Sequence, residues 1–340
     1  MRRPLVGDNN ERPLVSIIIP VRNEAEYIDR CLASILDQTY PKNRIEIIVA
    51  DGMSTDDTRA MIREIAAASE IPFRIVDNPQ KIAPTGLNRA IEHATGDVII
   101  RVDGHCEIDA NYVANCVILL ESDRTDGVGG PIETIGETAK AAAISKAMSS
   151  KFGVGGSAFR TVRDREVFTD TVAFPAYTRD IIELAGPFNE ELVRNQDDEY
   201  NFRIRKLGGR ILLSPTIRSR YFSRGTFNSL WRQYFQYGYW KVRVLQLHPR
   251  QMSLRQFVPF ALVVSILVLA VSALFFSPLL FVLAGVVSAY VTANLVASLI
   301  ATKARIRGIA YVSLSFCILH FAYGCGSLVG LTVFRDRWRT

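Results

Sequence analysis

The first hundred residues alternate between short apolar runs and segments with helical spacing of apolar side chains. The runs are rich in Val and Ile, which is typical of strands buried on both faces of a parallel sheet. The order predicted is strand Leu14–Ile19, helix Ala25–Leu36, strand Ile45–Ala50, a helix through Ala67, strand Phe73–Val76, helix Thr85–His93 and strand Asp97–Val102. The pattern therefore predicts an α/β fold in which helices cover a mostly parallel sheet.

The middle of the chain continues this alternation with more Gly, Ala and Ser. Residues 133–165 indicate a helix that leads into a loop with a turn at Gly155–Gly156. The segment "DTVAFPAYTRDIIEL" then predicts a strand and a helix. "VRNQDDEYNFRIRKLGG" predicts a helix with an acidic start that ends at Gly208–Gly209, and "RILLSP" predicts a further strand.

The pattern changes near residue 256, where charged side chains stop. Residues 256–302 contain none, which is room for two membrane spans of about 20 residues each. We predict spans at Val258–Phe276 and Leu279–Ile300 and a third apolar segment at Ile309–Val333, interrupted only by His320. The predicted organisation is a soluble domain (1–225), an amphipathic interfacial helix region (226–256) and a membrane domain with two to three hydrophobic helices (257–340).

The net charge of +6 lies mostly beyond residue 216, in clusters that flank the apolar segments and alternate with aromatic side chains. This arrangement favours anionic lipid headgroups over nucleic acid as the partner, so we expect no nucleic-acid binding. The first residues lack the apolar region of a signal peptide, and we expect the soluble domain to face the cytoplasm. A third span would place "RDRWRT" outside, against the positive-inside rule, so its topology stays open.

Polar or acidic residues follow each of the first four strands. They are the segment "PVRNE" (20–24), Asp51, Asp77 and Asp103. Because ligands of such sheets bind at the carboxyl ends of the strands, this edge is the predicted site. The chain has no GxGxxG after the first strand and no GxxxxGK[ST], so an acid-rich pocket suggests that phosphate is held through a divalent cation.

The stretch "GDVIIRVDGHCEID" carries the clearest candidate for that cation. Asp103 ends an apolar run, and His105, two residues on, projects to the same side in extended backbone. One carboxylate suffices for Mg²⁺ or Mn²⁺, and imidazole favours Mn²⁺. The alternative for His105 is a loop histidine hydrogen-bonded to a neighbour. The five cysteines have no CxxC spacing, so we expect reduced thiols rather than a zinc or thiol site.

Three longer stretches carry a resemblance to a known family. "VSIIIPVRNEAEYIDRCLASILDQTYPKNRIEIIVADGMSTDDT", "APTGLNRAIEHATGDVIIRVDGH" and "AGPFNEELVRNQDDEYNFRIRKLGGRI" resemble family 2 glycosyltransferases, which have the GT-A fold. The resemblance covers about residues 13–240. Within the family it is greatest to membrane-attached succinoglycan-type (ExoA-like) enzymes. It implies a GT-A catalytic domain, Rossmann-like and nucleotide-sugar-binding, followed by transmembrane helices.

The resemblance also implies roles for particular residues. The segment after the first strand, above all Glu24, and Asp51 would contact the uracil and ribose of the nucleotide. The full set of implied nucleotide-binding residues is Pro20, Arg22, Asn23, Glu24, Asp51, Lys81 and Asp103. Asp103 and His105 stand at the D-x-D motif, where Asp103 binds the metal, and Asp197 stands at the catalytic base. The chain departs from the family twice, with D-x-H for D-x-D and Gln196 for the Glu of an E-D pair.

Spacing alone does not choose among the acids of "QDDEY". Asp197, Asp198 and Glu199 all suit the positive end of a helix dipole, and successive helical residues point about 100° apart, so one at most faces a given substrate atom. The family register selects Asp197. Further along, "SLWRQYFQYGYWKVRVLQ" suits a helix at the membrane interface. Trp240 has the alternative of stacking on the acceptor sugar, and Gln196, Arg224 and Arg232 are candidates for acceptor or diphosphate contacts.

These inferences together predict an inverting glycosyltransferase. It would move a hexose from a UDP-sugar to a lipid-linked acceptor, a polyprenyl-diphosphate sugar, in exopolysaccharide or cell-envelope glycan synthesis at the cytoplasmic membrane. The alternatives are a polyprenyl-phosphate glycosyltransferase, a processive synthase, which with so few spans would need a homo-oligomer, and a membrane-tethered GT-A scaffold without activity. Donor sugar, acceptor and linkage stay open.

Overall fold

The structure is a computed structural model that describes residues 12–122, 125–223, 225–304 and 308–338. The chain forms two compact units. The first comprises Met1–Glu133 and Val162–Tyr221, and the second comprises Thr134–Thr161 and Phe222–Thr340. Residues 134–161, which the sequence analysis placed in the soluble domain, therefore group with the C-terminal helices.

The first unit is α/β, and its strands alternate with helices as predicted. Its elements in chain order are β1 Val15–Val21, α1 Ile28–Leu36, β2 Ile45–Asp51, α2 Thr58–Ala68, β3 Phe73–Asp77, α3 Ala83–His93, β4 Val98–Arg101, β5 Cys106–Ile108, α4 Tyr112–Glu121, β6 Gly127–Gly130 and β7 Ile132–Ile135, then β8 Val167–Phe168, β9 Ala173–Thr178, α8 Arg179–Ala185, α9 Gln196–Lys206, β10 Ile211–Leu213 and β11 Ser219–Phe222.

Eight of these strands form one sheet in the order β3-β2-β1-β4-β9-β6-β10-β8. The four strands β3, β2, β1 and β4 are mutually parallel, whereas β9 runs antiparallel to both β4 and β6. A second sheet has the order β5-β11-β7. The side chains of β1 and β2 are almost completely buried, as continuous Val/Ile runs covered on both faces require. The α/β fold with a mostly parallel sheet is confirmed.

Two boundaries differ from the sequence prediction for local reasons. Pro20 stays within β1 and is paired with Ala50. The backbone nitrogen of Pro20, which has no hydrogen to donate, faces β4. The pairing of β1 with β4 ends at Ile18 and Arg101, so the proline ends the hydrogen bonding to β4 without ending the strand. The first helix begins at Ile28 instead of Ala25 because the carbonyl of Glu24 accepts hydrogen bonds from Tyr27 and Ile28 in a turn that precedes it.

The second unit is helical. Its helices are α5 Ala139–Met148, α6 Lys151–Val154, α7 Ala158–Thr161, α10 Phe227–Leu247, α11 Val258–Ala273, α12 Leu279–Ala301 and α13 Ile309–Val333. Gly155 and Gly156 have positive φ and form the turn after α6, as predicted. Among the described residues, α12 and α13 are the helices long and apolar enough to cross a membrane, whereas α11 has 16 residues and ends before Phe276.

Candidate active site

The order of the parallel strands marks one crevice in the first unit. The chain runs from β1 outward through β2 and β3 and then returns to place β4 on the other side of β1. Ligands of doubly wound sheets bind at the carboxyl ends of the strands beside such a switch point. The segment 22–24 follows β1 and the segment 103–105 follows β4, so both predicted motifs lie at this crevice.

The loops after β1 and β2 hold one another in place. Asp51 is fully buried, and its Oδ1 accepts hydrogen bonds from the Ser54 backbone N–H at 3.1 Å and from its hydroxyl at 2.6 Å. Ser54 Oγ in turn accepts the N–H of Asn23, which lies in the left-handed region with φ of 54°. Asn23 Oδ1 accepts the Thr55 N–H at 2.8 Å. These contacts give the nucleotide-binding candidates Asn23 and Asp51 a fixed geometry.

Arg59 of α2 neutralises the charge on Asp51. Its Nη1 lies 3.1 Å from Asp51 Oδ2 and 2.6 Å from Asp77 Oδ1, and so joins the ends of β2 and β3. The hydrogen bond to Asp77 is the main cause that raises the pKa of Arg59 above its ordinary value. A buried carboxylate is tolerated here because it accepts three hydrogen bonds, one of them from a cation.

His105 is positioned by Glu24. The Nδ1–H of His105 donates to Glu24 Oε1 at 3.1 Å, and the side chains are 18% and 15% exposed. Gly104 allows this approach, because a Cβ there would come within 2.9 Å of Val21 Cγ1 and 3.3 Å of Glu24 Cγ. A carboxylate on Nδ1 fixes the tautomer that leaves the Nε2 lone pair available to a ligand. His105 is thus a loop histidine bonded to a neighbour through Nδ1. The chain turns at Gly104 and His105, closed by the Cys106 N–H that donates to the Asp103 carbonyl at 3.1 Å, instead of being extended as the sequence analysis expected.

Asp103 and Asp197 share one guanidinium. Nε and Nη2 of Arg101 both lie 2.9 Å from Asp103 Oδ1, and Nη1 of Arg101 contacts Asp197 Oδ1. The Arg101 side chain is 8% exposed, whereas those of Asp103 and Asp197 are 22% and 38% exposed. The cation is therefore inside and both carboxylates face the crevice.

Helix α9 presents Asp197 because its other side chains anchor the helix. Asn201 Oδ1 accepts a hydrogen bond from the Tyr177 hydroxyl at 2.7 Å, whereas the buried Glu199 pairs within the helix, with Arg203 at 2.8 Å. Tyr200 stacks on Phe188 with 3.9 Å between ring centroids. Acidic residues in the first turn and basic residues in the last suit the helix dipole at both ends. Of the three consecutive acids, Asp197 is the one in contact with Arg101.

The remaining predicted site residues fall in different places. Pro20 is in β1, Arg22 is exposed beside Asn23, and Lys81 is exposed with φ of 63° in the turn after β3. Gln196 is buried at the start of α9. Arg232 and Trp240 belong to α10 in the second unit, where Trp240 packs against Tyr239 and Phe334. Arg224 lies outside the described residues.

Sequence analysis missed Arg101 and Arg59. Arg101 had a signal, since a lone cation within the apolar run "VIIRV" must find an anionic partner when the strand is buried. Arg59 had none, because nothing in the spacing of α2 shows which of its exposed-looking residues turns toward the sheet edge. Both pairings join residues that only the fold brings together.

The donor set at the end of β4 fits a hard divalent cation bound together with a diphosphate. No group of three or more His, Cys, Asp or Glu side chains with metal-binding geometry occurs among the described residues. Mg²⁺ and Mn²⁺ at phosphate sites commonly take one or two carboxylates from the protein and complete the shell with phosphate and water. Asp103 Oδ2 and His105 Nε2 have no described contact, so each retains a lone pair to offer.

Thiol chemistry has no support at this edge. Burial, reinforced by the charge of Asp103, raises the pKa values of Cys31 and Cys106 far above the usual range. The Cys31 thiol donates to the carbonyl of Asp103 at 3.5 Å. Both groups stay protonated at neutral pH, and a protonated thiol is not a nucleophile.

Comparison with known proteins agrees with this geometry. A family model described as glycosyl transferase family 2 matches residues 16–184. A dolichyl N-acetyl-α-D-glucosaminyl phosphate 3-β-D-2,3-diacetamido-2,3-dideoxy-β-D-glucuronosyltransferase of Methanococcus voltae is 32% identical over 231 residues, which are 66% of this chain and 71% of the relative. The chain belongs to glycosyl transferase family 2. The succinoglycan biosynthesis protein ExoA of Rhizobium meliloti is 30% identical over 72% of this chain and 74% of its own length.

Solved structures of glycosyltransferases share the fold of this family 2 enzyme. A mannosyltransferase from Pyrobaculum calidifontis, solved with GDP-mannose and Mn²⁺, superposes with a TM-score of 0.61 at 20% identity and covers 94% of this chain and 88% of its own. TarS of S. aureus (residues 1–349) gives a TM-score of 0.55 at 17% identity over 88% of this chain and 89% of its own. These structures confirm the predicted GT-A fold, and the family model and the two relatives confirm the predicted glycosyltransferase activity.

Proposed function

We propose that this family 2 glycosyltransferase moves a hexose from a UDP-sugar to a lipid-linked sugar acceptor, with inversion at the anomeric carbon, in exopolysaccharide or cell-envelope glycan synthesis. The observation that carries the proposal is the placement of Asp103 and Asp197 at one crevice. One carboxylate ends the strand beside the switch point, and the other begins α9. Displacement at a sugar carbon needs one group on the diphosphate side and a base on the side of the acceptor.

In this proposal, Asp103 and His105 would hold the divalent cation, Mn²⁺ or Mg²⁺, which would offset charge on the departing diphosphate. Asp51 and residues 20–24 contact the nucleoside, with Lys81 beside them. Asp197 accepts the proton of the acceptor hydroxyl while the oxygen bonds to C1 and the bond from C1 to the diphosphate breaks. A single displacement turns an α-linked donor into a β-linked product.

The proposed acceptor class draws on two relatives. The Methanococcus relative is named for a dolichyl phosphate-linked sugar acceptor and the Rhizobium relative for succinoglycan synthesis. We therefore favour a hydroxyl on a polyprenyl-linked sugar, with Gln196, Arg224, Arg232 and Trp240 as candidate contacts. Transfer to the polyprenyl phosphate itself and processive synthesis are the outcomes that an acceptor panel would separate.

The long apolar helices support a membrane location. α12 and α13 have the length and composition of spans, and the basic clusters beside them suit anionic lipid. We place the enzyme in the cytoplasmic membrane as an integral protein with its first unit facing the cytoplasm. Such a protein meets a lipid-linked acceptor and a soluble donor at the same surface.

The test is transfer by the full chain with Mn²⁺, labelled UDP-hexoses and GDP-mannose as donors, and polyprenyl phosphate, polyprenyl-diphosphate sugar and no lipid as acceptors. Asp197→Asn should abolish transfer and leave UDP binding intact. Asp198→Asn, one residue along the same helix, is the matched control and should keep most activity. Full transfer by Asp197→Asn would overturn the base assignment. Wild-type protein that binds no UDP with any divalent metal would favour an inactive GT-A scaffold.

A further inference from the structure

Arg101 is a cation in an unusual place. It is the last residue of β4, a strand whose side chains are all buried, and 8% of its own side chain is exposed. Two of its nitrogens bond to one oxygen of Asp103, and a third contacts Asp197, which is 96 residues away in the chain. Within the part of the chain that the structure describes, no other cationic side chain contacts either carboxylate.

Stability alone is a weak reason for this arrangement. Burying a guanidinium costs several kcal/mol of desolvation, and replacing buried ion pairs by apolar side chains is often neutral or stabilising. β4 is otherwise Val and Ile, so an apolar residue at position 101 would continue its pattern. The contacts of Arg101 therefore serve the two carboxylates rather than the sheet.

The geometry divides each carboxylate into a held oxygen and a free one. Arg101 binds Oδ1 of Asp103 and Oδ1 of Asp197, and the described contacts leave Oδ2 of both residues unengaged. The planar fork of a guanidinium fixes the directions of its bonds, so it sets the angle as well as the separation of its partners. Lysine would keep the charge without fixing that angle.

We infer that Arg101 is a positioning residue that ties the carboxylate on the diphosphate side to the base, so that Asp197 Oδ2 is aimed at the acceptor hydroxyl before the substrates arrive. The inference rests on the proposed function and deepens it. Arg101 does not touch the reacting atoms. Its contribution is the orientation of Asp197 relative to Asp103, which determines whether the attacking oxygen and the departing diphosphate lie on opposite sides of C1.

The test compares wild type with Arg101→Met, Arg101→Lys and Arg101→Ala. For Arg101→Met, we expect kcat to fall by about 100-fold, the size of effect that a 1 Å misplacement of a catalytic group produces. At saturating Mn²⁺, the donor KM and the Kd of UDP measured calorimetrically should each stay within roughly threefold, because Asn23 and Asp51 are untouched and Oδ2 of Asp103, which would bind the cation, is not a contact of Arg101. Arg101→Lys should recover part of kcat. Added guanidinium ion should restore transfer by Arg101→Ala in a saturable manner.

Arg203→Ala is the matched control, since Arg203 also pairs with a carboxylate of α9, the buried Glu199, but lies at the anchored face of the helix. It should lower the melting temperature without a large effect on kcat, and guanidinium should not stimulate it. If Arg101→Met does not fold, the kcat of Arg101→Lys and the guanidinium rescue of Arg101→Ala test the inference instead. Normal kcat in the Arg101 variants, with wild type active, overturns the inference alone. Wild type without transfer to any acceptor overturns the proposed function.

Discussion

The acidic residues at the sheet edge differ in their partners, and the partners decide what each can do. Asp51 is buried and its oxygens are bonded to Ser54 and Arg59, so a contact to a nucleoside must replace one of these hydrogen bonds. One carboxylate oxygen of Glu24 accepts the hydrogen bond from His105. Asp103 and Asp197 each keep an oxygen free at the crevice. Carboxylates of one type thus acquire different chemistry from the groups beside them.

Glu24 provides a test between two roles. If it acts by fixing the His105 tautomer, Glu24→Ala should raise the Mn²⁺ concentration for half-maximal transfer about tenfold, the low end of effects from groups that orient metal ligands. In a His105→Ala background the same change should add little. A rise in the donor KM with unchanged Mn²⁺ dependence would show that Glu24 contacts the nucleotide instead, as the family resemblance implies.

Glu46 predicts a pH dependence of stability remote from the site. Burial would raise its pKa, but hydrogen bonds from the Ser16 hydroxyl at 2.5 Å and from Thr95 outweigh it and hold the pKa below the ordinary 4.5. A carboxyl whose pKa is lower in the folded protein stabilises the fold at pH values above its pKa in the unfolded chain. This contribution is lost as the pH falls through its pKa in the folded protein. Glu46→Gln should therefore lower the free energy of unfolding by about 1–3 kcal/mol at pH 7.

That difference between Glu46→Gln and wild type should shrink as the pH falls from 4.5 toward the lower pKa of the folded protein, because the unfolded chain takes up a proton at Glu46 before the folded protein does. Denaturant unfolding at pH 7, 5 and 3.5 measures it. Glu92→Gln, at an exposed position of α3, is the control and should change little at any pH. A Glu46→Gln deficit that is constant with pH would contradict the assignment.

At the scale of elements, local pattern predicted what is local. The Val/Ile runs and the three-to-four spacing located β1 to β4, α1 to α3, β9, α8, α9 and β10 to within a few residues, because burial leaves its mark on each of these segments by itself. The short strands β5, β6, β7, β8 and β11 and the helix α4 were not predicted. Pairings that join distant segments left no such mark. The ion pairs of Arg101 with Asp197 and of Arg59 with Asp77 form only because the fold brings distant segments together. Likewise, the fold and not the spacing shows which of the three acids of α9 faces the crevice.

Helices α10 and α13 of the second unit approach each other through glycines. A Cβ on Gly326 would overlap the carbonyl oxygen of Phe235, and one on Gly238 would overlap that of Tyr323. Ser327 Oγ also donates to the carbonyl of Gly238 at 3.3 Å. Small residues let helix backbones come into contact, which is a recurring mode of packing between apolar helices. The two helices should therefore separate when either glycine gains a side chain.

Gly326→Ala should destabilise the second unit by about 2 kcal/mol or more, because the helix must shift away from backbone that cannot yield. Gly285→Ala on α12 is the matched control, since a Cβ there meets nothing within 4 Å. It should be neutral or stabilising by up to about 1 kcal/mol, the gain in helix propensity. Thermal unfolding in detergent measures both variants. Equal melting temperatures would show that α10 and α13 do not pack through these glycines.

At the scale of the whole molecule, the exposed surface of the second unit poses the remaining question. α12 buries few of its apolar side chains against the protein; Phe281 in its first turn is 84% exposed, and Phe275, in the segment before it, is 87% exposed. Contiguous apolar surface of this kind on a soluble protein marks an interaction site, and its length here matches a bilayer. Sequence analysis reached the same expectation from the absence of charge alone.

A charged side chain on that surface tests whether the surface is in contact with a bilayer or with water. Val291 lies near the middle of α12 and is 47% exposed. In a bilayer, Val291→Arg should cost roughly 3 kcal/mol and so reduce insertion on the order of 100-fold, and the protein should pass from the carbonate-resistant membrane fraction into the soluble or degraded pool. In water the same exposed substitution should change stability by less than about 0.5 kcal/mol. Val291→Ala should remain in the membrane fraction. If Val291→Arg fractionates as wild type does, α12 does not cross the membrane, and the apolar face must be covered by protein.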